Sequence, residues 1–215
     1  MTEAAPLDRR QRRRRETIEQ VLDVAAEVMA EQGVAGLTLG EVARRMGIRP
    51  PSLYVYFDGK NALYDALFER GWRLLLEAMA SLPPPTGEDA AAEVRRFGGA
   101  FVRWAVEHPA YAPLMFWRPV PGFTPSAGAY APAVEMALRG RAFVRMLRDG
   151  GALAADTDVD LAFRTWTAVV VGVISQQLSN APDEPFETGA FTVVLPHVLA
   201  MWLAHHSARG VPSSD

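Results

Sequence analysis

Residues 37–60 read Leu-Thr-Leu-Gly-Glu-Val-Ala-Arg-Arg-Met-Gly-Ile-Arg-Pro-Pro-Ser-Leu-Tyr-Val-Tyr-Phe-Asp-Gly-Lys and carry the strongest structural signal in the chain. Thr38 and Glu41 stand three residues apart, which is the spacing of a capping box at the start of a helix. Gly47 stands where a residue in the left-handed conformation ends a helix. This segment therefore predicts a short helix that is followed by a tight glycine turn.

A second short helix is predicted directly after the turn. Pro50 and Pro51 cannot lie inside a helix but suit its first turn, which places this helix at about residues 51–56. At 1.5 Å per residue it is only about 9 Å long, so few of its side chains can enter a DNA major groove about 12 Å wide. Two short helices joined in this way are typical of a helix-turn-helix, in which one helix enters the groove and the other braces it.

The composition limits the function classes. The chain has 215 residues, a formal net charge of −3 and no cysteine. A negative chain does not coat nucleic acid indiscriminately, so any DNA contact needs a local basic patch. The absence of cysteine excludes disulfides, thiolate zinc sites and cysteine nucleophiles. Because polar residues interrupt every long apolar run, we expect a soluble, cytoplasmic protein with no membrane partner.

A local basic patch does exist. It precedes the first predicted helix and consists of Arg9, Arg10, Arg12, Arg13, Arg14 and Arg15. Lys60, the only lysine of the chain, follows the helix pair directly. The arginines are either a solvated arm or an element that enters a neighbouring minor groove.

Apolar residues recur at helical spacing along the rest of the chain, and glycines or prolines end most of the runs. Besides the helix pair, we predict helices at about residues 18–33, 60–82, 94–108, 132–149, 158–179 and 188–207, with a bend at Pro196 in the last of them. The expected fold is all-α, with an N-terminal three-helix head that contains the helix-turn-helix and a C-terminal helical bundle. The helix from Lys60 would be shared by both.

Residues 10–70 resemble the DNA-binding domain of the TetR family of bacterial transcriptional regulators. The resemblance rests on Gly36-Leu-Thr, Glu41-Val-Ala-Arg-Arg-Met-Gly-Ile, Ser52-Leu-Tyr-Val-Tyr-Phe and Lys60-Asn-Ala-Leu. The segment from Trp104 to Phe116 is similar to a stretch in one subgroup of the family's regulatory domains. The resemblance implies a homodimer on a palindromic double-stranded operator, and a domain at residues 71–208 that binds a small-molecule effector and dimerises.

The resemblance also assigns roles on the DNA. Phosphate contacts are expected of side chains that donate hydrogen bonds without reading bases, namely Thr38, Ser52, Tyr54, Tyr56 and Lys60. Positions that face base edges in the family are occupied by Gly40, Arg49, Pro50 and Pro51. Glycine and proline offer no side-chain donor there, which leaves Arg49 as the best base reader, with Pro51 against a thymine methyl. Tyr54 packs in the core in an alternative reading, as Leu53 and Phe57 are expected to, and Val55 faces either bases or solvent.

The C-terminal part holds aromatic and polar residues that suit an apolar ligand site. These are Trp104, His108, Tyr111, Met115, Phe116, Trp117, Phe143, Trp166, Val170 and Gln177. The alternative is ordinary core for the aromatics and a helix C-terminal role for His108. Gln176 and Gln177 lie in an apolar helix, where buried amides need partners from a ligand, a second subunit or the chain itself.

The last two predicted helices are apolar over much of their surface, which predicts a dimer interface of two helices from each subunit. The expected function is a ligand-responsive transcriptional regulator, most often a repressor, without cofactor, metal or catalytic residues. An all-α enzyme and a helical protein-interaction scaffold are the alternatives. No His and carboxylate set has metal-ligand spacing beyond chance, and a scaffold leaves the capped helix pair and Lys60 unexplained.

Overall fold

The computed structural model describes residues 8–207 and contains eight α-helices and two 3-10 helices in that range. No strand occurs between residues 8 and 207, so the all-α prediction is confirmed. The α-helices are α1 (Arg9–Gly36), α2 (Leu39–Arg45), α3 (Lys60–Ala80), α4 (Ala90–Glu107), α5 (Ala112–Phe116), α6 (Ala127–Asp149), α7 (Val159–Asn180) and α8 (Leu195–His206). The 3-10 helices are Pro50–Val55, called here the reading helix, and Thr192–Val194. None of the helices in this range is long and apolar enough to cross a bilayer.

Helix α1 includes the arginine cluster, which corrects the expectation that the arginines precede the first helix. Arginine is a good helix former, and no glycine or proline stands between Arg9 and Val21 to stop the helix. The predicted end at Gly33 is marked by an interruption, because Gly33 has a φ of 71° and one further helical turn follows it. Six arginines within residues 9–15 make the start of α1 a strongly positive rod.

Helix α2 starts as predicted at Thr38, whose hydroxyl oxygen accepts a hydrogen bond from the backbone N–H of Glu41 at 3.1 Å. The reciprocal half of the capping box is missing, because the Glu41 carboxylate accepts hydrogen bonds from Arg44 and Arg45 instead. The glycine turn is confirmed: Gly47 has a φ of 67°.

The reading helix is a 3-10 helix rather than the predicted α-helix, and it begins one residue earlier. Its first two residues are prolines, which donate no backbone hydrogen bond, and the chain leaves the helix at Tyr56. At about 2.0 Å per residue, six residues span about 12 Å. The second half of the helix-turn-helix is therefore thinner and longer than an α-helix of the same residues.

Helix α3 belongs to both parts of the molecule, as expected. Its first half places Leu63 and Leu67 in the core of the head, and its second half places Leu75 and Leu76 against the bundle. The predicted domain boundary at residues 70 and 71 falls inside this one continuous helix.

The last helix differs from the prediction. Pro196 lies in the first turn of α8 and does not bend a helix from residue 188 to residue 207. Proline fits the first turn because the N–H that it lacks has no helical partner there. Much of the apolar band predicted to be an interface is also used inside the protomer, where Val170, Ile174, Leu199 and Trp202 are buried.

Candidate nucleic-acid interface and ligand cavity

The residues predicted to contact DNA all lie on the surface of the head. Seven of them are exposed, namely Thr38, Gly40, Arg49, Pro50, Pro51, Ser52 and Tyr54, and the remaining two, Tyr56 and Lys60, are half-buried. They come from the start of α2, the reading helix and the start of α3. The turn brings these segments together, so the predicted residues form one continuous surface.

The side chains of the reading helix divide into a buried and an exposed set. Leu53 and Phe57 are buried and anchor the helix in the head. Tyr54 and Val55 are 59% and 67% exposed, so neither belongs to the core. Large apolar and aromatic side chains exposed side by side on a short helix are typical of a surface that meets another molecule.

Arg49 stands directly before the reading helix, and its guanidinium makes no hydrogen bond or ion pair with any residue between 8 and 207. Its five N–H donors are thus available to an external acceptor. Lys60 is only loosely held, since its ammonium donates to the Ala35 carbonyl at 3.3 Å and lies 5.2 Å from the centre of the Tyr64 ring. Thr38 uses its oxygen as a helix cap but keeps its hydroxyl proton for an acceptor such as a phosphate.

The arginine cluster contacts the reading helix at one point. Arg14 donates a hydrogen bond to the Val55 carbonyl at 3.2 Å, and its guanidinium lies 5.3 Å from the centre of the Tyr56 ring. Residues 9–16 of α1 are otherwise exposed. The positive rod therefore starts at the end of the reading helix and continues the basic surface away from it.

One ion pair links α2 to α1. Arg45 bonds both Glu41 of its own helix, at 2.9 Å, and Glu31 of α1. Hydrogen bonds from Arg44 and then Arg45 hold the pKa of Glu41 at about 2, so its carboxylate stays charged at every physiological pH. The helix that braces the reading helix is thus tied to α1 by charge as well as by packing.

A second feature of the molecule is a cavity of about 720 Å³ inside the C-terminal bundle. This volume lies within the range of small-molecule sites. Its wall is formed mainly by aromatic, methionine and valine side chains: Trp72 and Met79 of α3, Phe97 and Phe101 of α4, Met115 and Phe116 of α5, Met136, Phe143 and Val144 of α6, and Phe163, Trp166, Val170 and Val171 of α7.

The aromatic rings of the wall touch one another. Phe116 packs edge-on against Trp72, with ring centres 5.6 Å apart, and lies 5.8 Å from Phe101. In a second group, the Phe143 ring lies 4.9 Å from Phe97 and 6.2 Å from Trp166. Such contacts stiffen the wall, so the space between the two groups of rings is a feature of the packing.

The mouth of the cavity lies between α6 and α7. The exposed lining residues are Tyr130 and Arg139 of α6 and Arg164 and Ala168 of α7, and three of these four lie where the two helices face each other. Gly140 sits at the crossing of these helices, where an added Cβ would overlap the Phe163 ring. The two helices therefore meet closely at Gly140 and leave an opening beside that contact.

Five of the ten residues predicted for the ligand site line this cavity: Met115, Phe116, Phe143, Trp166 and Val170. The other five lie outside its lining. They are Trp104, His108, Tyr111, Trp117 and Gln177.

Local contacts explain why most of these five are not at the cavity. Trp104 and His108 stack on each other with ring centres 4.4 Å apart, and His108 Nδ1 lies 2.7 Å from the Trp104 carbonyl, the helix C-terminal role given as the alternative. Tyr111 and His108 border a shallower hollow against α1. Gln177 is fully buried, and its side-chain oxygen accepts hydrogen bonds from the N–H groups of Phe191 and Thr192. Its partners are therefore in its own chain.

Several lining residues were missed from the sequence, notably Trp72, Phe97, Phe101, Met136 and Phe163. Their helical spacing is the same as that of core residues, so spacing alone does not separate them from the core. The signal that was available is the row of small residues Ala133, Ala137 and Gly140 on one face of α6, which leaves room opposite the aromatic rings.

The fold and these two sites define a helix-turn-helix DNA-binding protein with a hollow helical domain behind its head. A family model described as "Bacterial regulatory proteins, tetR family" matches residues 21–67. A second one, "Tetracyclin repressor-like, C-terminal domain", matches residues 94–194. The chain belongs to the TetR family of bacterial regulatory proteins.

Individual relatives agree with this assignment. The chain is 34% identical over 96 residues to the uncharacterised HTH-type transcriptional regulator YobS of Bacillus subtilis (strain 168), and the match covers 44% of this chain and 49% of the relative. It is 45% identical over 49 residues to the class D tetracycline repressor protein of Escherichia coli, with 23% and 22% covered. The chain thus spans about half or less of the length of these curated relatives.

Solved structures share the fold along most of the chain. The TetR family transcriptional regulator PfmR from Thermus thermophilus has a TM-score of 0.67 at 20% identity, covering 88% of this chain and 99% of that one. A protein of unknown function from Rhodococcus sp. RHA1 has a TM-score of 0.72 at 19% identity, covering 89% and 95%. At these identities the likeness extends to the fold alone.

Proposed function

We propose that the protein is a dimeric, ligand-responsive repressor that binds a palindromic operator and leaves it when a small apolar molecule enters the cavity of the bundle. The observation that carries this proposal is the position of the cavity. Its wall includes Trp72 and Met79 of α3, the same helix that enters the head at Lys60. A ligand that changes the packing of this wall acts directly on the helix that supports the DNA-binding surface.

The head is attached to α3 at several points along α1. Lys60 and the Tyr64 hydroxyl donate to the carbonyls of Ala35 and Val34, the latter at 2.8 Å, and Arg70 is ion-paired with Asp23 of α1. Because these contacts span the first half of α3, we expect α1, α2 and the reading helix to follow a tilt of α3 as one body.

The cavity wall reaches α3 through α5. Gly71 is packed so closely against this helix that an added Cβ would lie 2.7 Å from the Met115 sulfur, and Met115 lines the cavity. A second route runs through α6, where the Ser126 N–H donates to Asp65 at 2.8 Å and Tyr130 stacks on Phe68 with ring centres 5.8 Å apart. Packed interfaces of this kind pass on small shifts as rigid-body motion.

A face formed by α8 and the second half of α7 supports the dimer. Met201 is 70% exposed, and small residues on the same helices, among them Gly172, Ala200 and Ala204, are exposed too. Small side chains let helices approach closely, and exposed large apolar residues favour burial against a second copy. In a two-fold dimer the reading helices would stand about 34–36 Å apart, one turn of DNA.

The ligand acts as a release signal only if it binds the form with displaced heads more tightly than the DNA-bound form. Ligand binding then shifts the population toward the displaced form, in which the two reading helices no longer match successive major grooves, and we expect repression to end.

The test combines selection of DNA with ligand release. Operator fragments selected from random duplex DNA should show two-fold symmetry, and a cavity ligand found by thermal shift should weaken operator binding by at least tenfold. Ala137→Trp, which fills the cavity from α6, should keep operator affinity and lose the ligand effect. Selected fragments without symmetry contradict the palindrome, and a ligand that binds the cavity without changing operator affinity contradicts the release mechanism.

A further inference from the structure

We propose that the cavity is built for an apolar ligand that carries one anionic group, such as a carboxylate, and that Arg164 holds this group at the mouth. This inference rests on the proposed function, because it names the chemical class of the effector. It depends on the charged residues around the mouth of the cavity, between α6 and α7.

The charged residues that line the cavity between residues 8 and 207 are both cationic: Arg139 and Arg164. The remainder of the wall is aromatic, aliphatic or small, and its Thr167 hydroxyl already donates to the Phe163 carbonyl at 2.9 Å. A cationic ligand would find no carboxylate in this wall. An anion would find two guanidinium groups at one end of an apolar space.

The two lining arginines differ in their partners. Arg139 is ion-paired with Glu135 on its own helix. Arg164 is exposed, and its guanidinium makes no hydrogen bond or ion pair with any residue between 8 and 207. The carboxylate closest to it along α7, Asp160, is hydrogen-bonded at 2.6 Å by Arg141 of α6. Arg164 is therefore the cation of the mouth whose donors are open to a ligand.

The position of Arg164 also determines how the ligand lies. A bare charge among the Phe and Trp rings of the interior would lose its hydration without compensation, which is strongly unfavourable. At the mouth the anion keeps part of its water and gains a charge-assisted hydrogen bond. The apolar body thus points inward to the rings, and the anionic group points outward between α6 and α7.

A matched pair of fluorescent probes tests the charge directly. 1-Anilinonaphthalene-8-sulfonate and N-phenyl-1-naphthylamine share the same rings, and only the first carries a negative charge. In the wild type we expect the anionic probe to bind more tightly. Arg164→Gln should weaken its binding roughly three- to tenfold, the range for a charge-assisted hydrogen bond at a partly exposed site, and should change the neutral probe less than about twofold.

The matched control is Arg145→Gln. Arg145 is also an exposed arginine between α6 and α7 but does not line the cavity, so this variant removes the same charge nearby and should change the binding of both probes less than about twofold. Raising the salt concentration should weaken the anionic probe on the wild type and have less effect on Arg164→Gln.

The outcomes separate this inference from the proposed function. If Arg164→Gln weakens both probes alike, or neither, or if Arg145→Gln matches it, the anionic preference is refuted while the cavity can still be the effector site. If the anionic probe binds Ala137→Trp as tightly as the wild type, it does not occupy the cavity and the assignment is overturned. If neither probe binds the wild type, the proposed apolar effector site fails with it.

Discussion

Arg49 and Lys60 are expected to contribute to DNA binding in different ways, and the difference can be measured. Arg49 is exposed and stands directly before the reading helix, and its guanidinium has no hydrogen-bond partner among residues 8–207. A bidentate arginine-guanine pair is worth about 1–3 kcal/mol of discrimination. In a dimer with two half-sites, Arg49→Ala should therefore cost about 2–6 kcal/mol of discrimination, which is roughly 30-fold or more in the ratio of operator to random-DNA affinity.

Lys60 should act through phosphate alone. Each phosphate contact contributes about 0.9 to the slope of log affinity against log salt. Two copies of Lys60 in a dimer predict that Lys60→Ala lowers the magnitude of this slope by about 1.8, with equal losses on operator and random DNA. The loose contacts of Lys60 with Ala35 and Tyr64 are easily exchanged for a phosphate.

The assay is fluorescence anisotropy with a selected operator and with scrambled duplex DNA over a series of salt concentrations. Arg49→Lys is the matched control, because it keeps the charge but loses the planar fork that reads guanine. It should lose discrimination nearly as Arg49→Ala does. If Arg49→Ala weakens operator and scrambled DNA by the same factor, Arg49 is a phosphate contact and the division of roles is refuted.

Three further predictions concern the bundle. Gln177→Leu removes the side-chain oxygen that accepts hydrogen bonds from the N–H groups of Phe191 and Thr192. Because these groups then lack a partner, the variant should lower the free energy of unfolding by about 2–4 kcal/mol in chemical denaturation. A smaller loss than that of Gln176→Leu, whose site is exposed, would contradict this. Met201→Asp places a charge on the proposed dimer face and should give monomers in sedimentation, whereas Val55→Asp on the head should stay dimeric. Burial lowers the pKa of His206 below its usual value of about 6.5. The unfolded chain therefore takes up this proton at a higher pH than the folded one, and the contribution of neutral His206 to stability is complete above pH 6.5 and is lost as the pH falls below it. In thermal melts, His206→Gln should lose less stability than the wild type between about pH 6.5 and 5.

The head was predictable from the sequence because local chemistry decides it. A threonine cap, a left-handed glycine and a proline pair each act on neighbouring residues, and all three are found where the pattern places them. What failed there was also local: the Glu41 carboxylate had two alternative partners, and the arginines that were expected ahead of the first helix are part of it. Sequence spacing alone does not tell which of several nearby partners a charged side chain will bind.

The bundle was less predictable because its special features arise from contacts between distant segments. Trp202 and Trp166 are both aromatic residues at helical spacing, yet Trp202 is buried and donates to the Ala162 carbonyl at 3.0 Å, and Trp166 lines the cavity. Gln177 was a candidate ligand contact, but its side-chain amide hydrogen-bonds Ala181 and Phe191 of the loop that follows α7. Side chains of the same type serve as core or as cavity wall according to what lies opposite them.

A cavity needs large side chains that are held apart, and the residues that hold them apart are elsewhere in the sequence. On α6, the face that carries Ala133, Ala137 and Gly140 brings no bulk to the space between Phe143 and Phe116, while Gly140 brings α7 close enough to close one side. Enlarging these small residues should therefore remove the cavity with little effect on the head, whereas trimming the aromatic rings should enlarge it and loosen the bundle. The small residues, and not the tryptophans, are the part of the sequence that specifies the cavity.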